Sequence, residues 1–299
     1  MSSPRPIADG SLGLDVDAVS RFTWGCNSEA TDSAGAALSV ESMALSSADR
    51  SGGGHPALIA VAHGSRDPRS AATMFAVVQE LAAAHPELKV RLAFLDLSTP
   101  SVEQVVDSVA AQGYTEAIVV PLLLGSAFHA RVDLPGLLAA AQARHPRLRL
   151  TQADVLGPDP RLVSALRERV VATGADPHDA TLGIAVAAVG SSSRHANRRT
   201  ERIGHLLAAG TAWRTEFCFA TTEPGVTHAI SRLHERGCDR VVVAPWFLAP
   251  GLLTDRLVVA APDLPHAAPI GAHPLAAEVI AARYTTARHN LGSPHAAVA

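Results

Sequence analysis

The sequence predicts an α/β fold built of two tandem lobes, each a doubly wound parallel sheet, and three observations carry that expectation. Short continuous apolar runs such as Leu58-Ile59-Ala60-Val61-Ala62 alternate with helix-length segments, the pattern of strands buried on both faces and joined by crossover helices. The same order of elements occurs twice. The 299 residues are 47% hydrophobic and only 18% charged, a balance that supports a core of this size.

Residues 1 to 56 lack sustained periodicity, are rich in Ser, Ala, Gly and Asp and end near Ser51-Gly52-Gly53-Gly54, which reads as a flexible leader. The first strand follows, then the turn His63-Gly64-Ser65-Arg66-Asp67-Pro68, in which Asp67 suits a helix cap and Pro68 its first turn. That helix is expected to run to about Ala84. A strand near Val90 to Leu95 is followed by a helix opened by Ser98-Thr99-Pro100 and closed by Gly113. Then come a strand over Ala117 to Leu124, a helix over Leu134 to Arg144, a strand over Leu148 to Ala153 and a helix over Arg161 to Ala172. The first lobe is thus assigned to 57–173.

After a polar linker the pattern restarts. Gly190-Ser191 aligns with Gly64-Ser65 at an offset of 126; Pro224 with Pro100, Gly237 with Gly113 and Pro245 with Pro121 at 124; and Ile270-Gly271 with Leu156-Gly157 at 114. Anchors in one order at nearly constant offsets indicate an internal duplication. The second lobe is assigned to 180–290, with a tail over 291–299.

Composition excludes several function classes. Lys89 is the single lysine and lies outside any Gly-rich turn, so neither a phosphate-binding P-loop nor Schiff-base chemistry has its lysine. A net charge of -3 argues against a nucleic-acid partner. Cys26, Cys218 and Cys238 show no C-x-x-C spacing, which reads as free thiols in a reducing compartment. No signal peptide and no unbroken apolar span of about 20 residues is visible, so a cytoplasmic protein without a membrane partner is expected. No Gly-x-Ser-x-Gly elbow supports a hydrolase, and no G-x-G-x-x-G a dinucleotide site.

Imidazole and guanidinium are plentiful, with 14 histidines and 24 arginines. In open parallel sheets ligands bind beyond the carboxyl ends of strands, where both His63 and His129 fall. Each has a plain reading as a turn residue. The duplication separates the readings: the aligned positions of the second lobe are Val189 and Leu253. The fold accepts apolar residues there, so the histidine pair points to chemistry, and two facing imidazoles suit an open metal site. His195 and His273 also fall near strand ends, whereas His85 and His145 read as surface residues.

Ala60-Val61-Ala62-His63-Gly64-Ser65-Arg66-Asp67-Pro68, together with Pro121-Leu122-Leu123-Leu124 and the Gly-x-x-x-His-x-x-x-Asp-Leu-Pro string over Gly125 to Pro135, resembles the sirohydrochlorin chelatases, class II tetrapyrrole chelatases. The resemblance covers residues 57 to 172, with the second lobe similar to the degenerate repeat of two-domain members. It implies insertion of Co²⁺ or Fe²⁺ into sirohydrochlorin, toward cobalamin or sirohaem, with His63 and His129 as the metal-binding catalytic pair. It implies no permanently bound cofactor, the divalent ion being a substrate. A tetrapyrrole or metal carrier with the same two histidines is the alternative. Because the substrate carries many carboxylates, Ser65, Arg66 and Arg131 are candidate contacts, with Arg69 beside them and Ser191, Ser192 and Arg194 on the other lobe. Each also reads as a solvated or capping residue. Asp96 and Glu223 stand as proton acceptors or as caps.

Overall fold

The computed structural model describes residues 55–125, 132–191 and 193–292. The expected leader up to residue 54, and residues 293–299 of the expected tail, lie outside this range.

The first half runs β1 (Ala57–Ala62), α1 (Pro68–Ala84), β2 (Val90–Phe94), α2 (Val102–Ala111), β3 (Glu116–Pro121), α3 (Leu134–Arg144), β4 (Arg149–Gln152) and α4 (Pro160–Val171). The second runs β5 (Leu182–Ala188), α5 (Arg194–Ala208), β6 (Arg214–Phe219), α6 (Val226–Glu235), β7 (Arg240–Pro245), α7 (Leu252–Ala260) and α8 (Pro274–Gly292). Both sheets are parallel, ordered β2-β1-β3-β4 and β6-β5-β7. All residues of β1 and β5 are buried, as the unbroken apolar runs require.

One helix start differs from expectation. α2 opens at Ser101 rather than at Ser98-Thr99-Pro100, because Ser101 and Gln104 form a reciprocal capping box. Pro100 meanwhile still accepts the Phe94 amide through its carbonyl.

The duplication is visible bond by bond. Leu95 N–H donates to Ala62 and Ala220 N–H to Ala188; Leu122 N–H donates to Val61 and Trp246 N–H to Ala187. Gly64 and Gly190 have φ of 92° and 95°, Gly113 and Gly237 of 85° and 79°, and Thr99-Pro100 and Glu223-Pro224 are both cis. The fourth strand survives in the second half only as a bridge between Val243 and His266. Pro262, Pro265 and Pro269 crowd that segment, and each lacks the N–H a ladder needs.

Each sheet is covered on one face by its own helices: α2 and α3 over the first, α6 and α7 over the second. On the other face the last helices change sides. α4 packs on α5 and β7, and α8 packs on α1, β3 and β4. Leu162, Leu166 and Val170 of α4 join Val279, Ile280 and Tyr284 of α8 in one core shared by both halves, so neither sheet is complete without a helix from the other half.

Candidate functional site

The carboxyl end of β1 is joined to the turn after β2. His63 O accepts the Asp96 amide at 3.0 Å. Ser65 N–H donates to Ser98 Oγ at 3.1 Å, and Ser98 Oγ–H donates back to Ser65 O at 3.0 Å. Between them Gly64 holds φ +92°, and a Cβ there would lie 1.7 Å from Asp96 O. Only glycine fits, since the left-handed region and the close backbone approach both exclude a side chain. The result is a stiff platform that presents His63 exposed at the sheet's edge. Its Nδ1 lies 3.2 Å from Gly64 O.

Ser65 enters the platform through its hydroxyl, which accepts the Asp67 amide at 3.0 Å and keeps its own O–H available to donate. Arg66 is exposed and makes no ion pair among the described residues. Asp67 caps α1 by accepting the Arg69 amide at 2.9 Å. Hydrogen bonds from the Arg69 guanidinium hold the Asp67 carboxyl below its usual range.

Arg69 departs from the expectation of a substrate contact. Its guanidinium grips Asp67 through both Nε and Nη2 and reaches Asp255 of α7 at 2.5 Å. Two carboxylates neutralise it, and the turn of the first half is tied to a helix of the second. A Cβ built on Gly251, beside α7, would stand 3.9 Å from Asp67 Oδ2.

Other expected residues fall as follows. His129, Arg131 and Ser192 lie outside the described residues. Asp96 Oδ1 accepts the Leu97 amide at 2.8 Å and Glu223 Oε2 the Gly225 amide at 2.8 Å, so both carboxylates hold their own turns. Val189 occupies the place of His63, its carbonyl accepting the Thr221 amide just as His63 accepts Asp96. Ser191 is tied to Asn197 by a pair of 2.9 Å bonds, whereas Arg194 and His195 are exposed at the start of α5. His273 is buried; its Nδ1 accepts the Leu275 amide and its Nε2 lies 3.1 Å from Glu168, a role in packing. No group of three or more His, Cys, Asp or Glu side chains with metal-holding geometry occurs among the described residues, and none of their helices is long and apolar enough to cross a membrane.

Sequence reasoning missed two residues that join the halves: Arg169 and Arg283, 114 apart like the loops they serve. Arg169 donates to Ile270 O and Arg283 to Leu156 O, each at 2.9 Å. The shared offset was a signal available in the sequence.

The CbiX family model matches this chain twice, over residues 57–173 and 183–287. A sirohydrochlorin ferrochelatase of Priestia megaterium is 28% identical over 203 residues, 67% of this chain and 76% of that protein. A sirohydrochlorin cobaltochelatase of the same organism is 27% identical over 216 residues, 69% of each chain. The solved structure of SirB from Bacillus subtilis with Fe³⁺ matches with a TM-score of 0.66 and 25% identity, covering 80% of this chain and 98% of that one.

Proposed function

The chain belongs to the CbiX family, and we propose that it is a sirohydrochlorin chelatase, an enzyme that inserts Co²⁺ or Fe²⁺ into the macrocycle with His63 and His129 as its metal-binding pair. The observation that carries this reading is the exposed His63 on a glycine-dependent platform at a strand's carboxyl end, with Val189 at the equivalent place in the other half. A rigid turn holding an imidazole toward solvent suits delivery of a divalent ion.

Insertion exchanges two pyrrole N–H protons for one divalent ion, so the metallated ring leaves together with two protons. In this reading His63 Nε2 takes the ion, replacing part of its water shell, and His129 shares the ion or accepts a pyrrole proton. Arg66 and Arg131, as guanidinium forks, and Ser65 O–H meet substrate carboxylates. The named relatives include both an iron and a cobalt enzyme, so Co²⁺ and Fe²⁺ are both proposed as substrate metals.

The test is anaerobic absorbance of sirohydrochlorin with Co²⁺ or Fe²⁺ and wild type, His63→Ala or His129→Ala. Each substitution is expected to remove most of the accelerated insertion while the protein melts as wild type does. Full rates in both variants would overturn the site, and a wild type no faster than free metal would overturn the enzyme.

A further inference from the structure

Helix α5 carries a strip of arginine and histidine side chains that the fold does not use. Arg194, His195, Arg198, Arg199, Arg202 and His205 are all exposed, while Ile203, Gly204 and Leu207 turn toward the core. All but Arg194 line an open groove of about 270 Å³, shared with Glu201 as its only acid. None of the four guanidiniums forms an ion pair or a hydrogen bond among the described residues. Several other arginines are committed, Arg69, Arg161 and Arg236 to carboxylates and Arg167 and Arg169 to carbonyls, whereas Arg66 beside His63 makes no ion pair among the described residues either.

Architecture does not require the charges. At the offset of 126 the corresponding positions of α1 are Ala72 for Arg198, Thr73 for Arg199, Ala76 for Arg202 and Gln79 for His205. Packing like charges four apart, as in Arg194, Arg198 and Arg202, costs a helix about 0.2–0.5 kcal/mol per pair. The strip therefore detracts from local stability. It begins at the carboxyl end of β5, the counterpart of the strand end that holds His63, and extends about 16 Å along the helix at 1.5 Å per residue. The chain as a whole bears -3, which on average repels a polyanion.

We propose that this face of α5 is an electrostatic capture surface that steers the polycarboxylate tetrapyrrole toward the site, an inference that rests on the chelatase reading. Clustered charge of one sign raises encounter rates by about 10–1000-fold at low ionic strength, and salt suppresses the gain as the Debye length shrinks from about 10 Å at 0.1 M to about 3 Å at 1 M. The signature is thus a rate of capture, separable from turnover.

The experiment compares wild type with an Arg198→Glu, Arg199→Glu, Arg202→Glu triple variant and with the matching triple Gln variant. Both kcat and KM for sirohydrochlorin are measured with Co²⁺ across ionic strength, with thermal melts as a fold check. At low salt kcat/KM is expected to fall about tenfold in the Glu variant and less in the Gln variant, with kcat at saturation kept and the differences gone in high salt. The Gln variant, relieved of like-charge repulsion, is expected to melt no lower than wild type. A wild-type salt dependence in the Glu variant, or a loss confined to kcat, would overturn capture alone. A Gln variant that fails to fold would make the strip structural and overturn it too. An inactive wild type would bring down the chelatase reading and this proposal with it.

Discussion

Asp159 and His273 occupy one position in two copies, each buried and each preceding the proline that starts the last helix of its half. Asp159 Oδ1 accepts the Arg161 amide and His273 Nδ1 the Leu275 amide, so both side chains cap. Each then takes a partner from the opposite helix: Arg283 Nη2 lies 3.3 Å from Asp159, and Glu168 lies 3.1 Å from His273. With Arg169 and Arg283 crossing in reverse, α4 and α8 hold the two halves by a reciprocal set of contacts.

Asp159→Ala removes a cap and a charged hydrogen-bond acceptor together, and is expected to lower stability by about 2–3 kcal/mol. Burial alone would raise its carboxyl, but hydrogen bonds from the Arg161 side chain and amide, with the charges of Arg161 and Arg283, outweigh burial and hold it below the usual range. A depressed folded value means the contribution is complete above the unfolded pKa of about 3.9 and fades as pH falls through the folded one. Urea unfolding of both proteins at neutral pH and in acid should show the gap narrowing below about pH 4; a gap unchanged in acid would rule out the ionised cap. His273→Asn keeps a capping side chain and should lose less than His273→Ala.

The Arg69–Asp255 contact joins the halves at the edge of the site, yet both side chains are about half exposed. A double-mutant cycle with Arg69→Ala and Asp255→Ala is expected to give a coupling of only about 0.2–1 kcal/mol, vanishing near 1 M salt. A coupling of several kcal/mol that persists in high salt would contradict this.

Gly64 and Gly190 share a left-handed backbone but differ in what surrounds them. A Cβ on Gly64 meets the Asp96 carbonyl at 1.7 Å, whereas on Gly190 its nearest neighbour is Thr222 Cγ2 at 2.8 Å, a side chain that can turn. Both Ala variants carry the conformational cost of about 1–2 kcal/mol, but Gly64→Ala must also displace the turn that holds His63. Metal insertion should therefore fall much further in Gly64→Ala than in Gly190→Ala, and equal activity in the two would remove the platform's role.

Burial pushes the Cys218 thiol up to about 12, and its Sγ faces Val186 O at 3.6 Å. The thiolate is the reactive form, so peptide mapping after iodoacetamide at pH 8 should find Cys218 unmodified in the native protein and modified in urea. Labelling at equal rates in both states would refute the assignment.

Much of this molecule was legible along the chain. Apolar runs marked β1 and β3 because a strand covered on both faces must be apolar throughout, and Asp67-Pro68 marked the start of α1 because cap chemistry is local. The offsets 126, 124 and 114 exposed the duplication, and with it the replacement of His63 by Val189. α2 starts at Ser101 rather than Ser98, because Ser101 has Gln104 three residues on to complete a capping box, a spacing Ser98 lacks.

Sequence therefore settled the class of fold, its repetition and the histidine that differs between copies, all of which rest on interactions a few residues long or on comparison of the chain with itself. The folded structure alone decided that α4 and α8 exchange sheets, that Arg69 is neutralised by Asp67 and Asp255, and that Asp159 and His273 serve as buried caps across the join. Those choices depend on which charges meet when residues more than a hundred positions apart are packed together, and periodicity and composition carry no record of that.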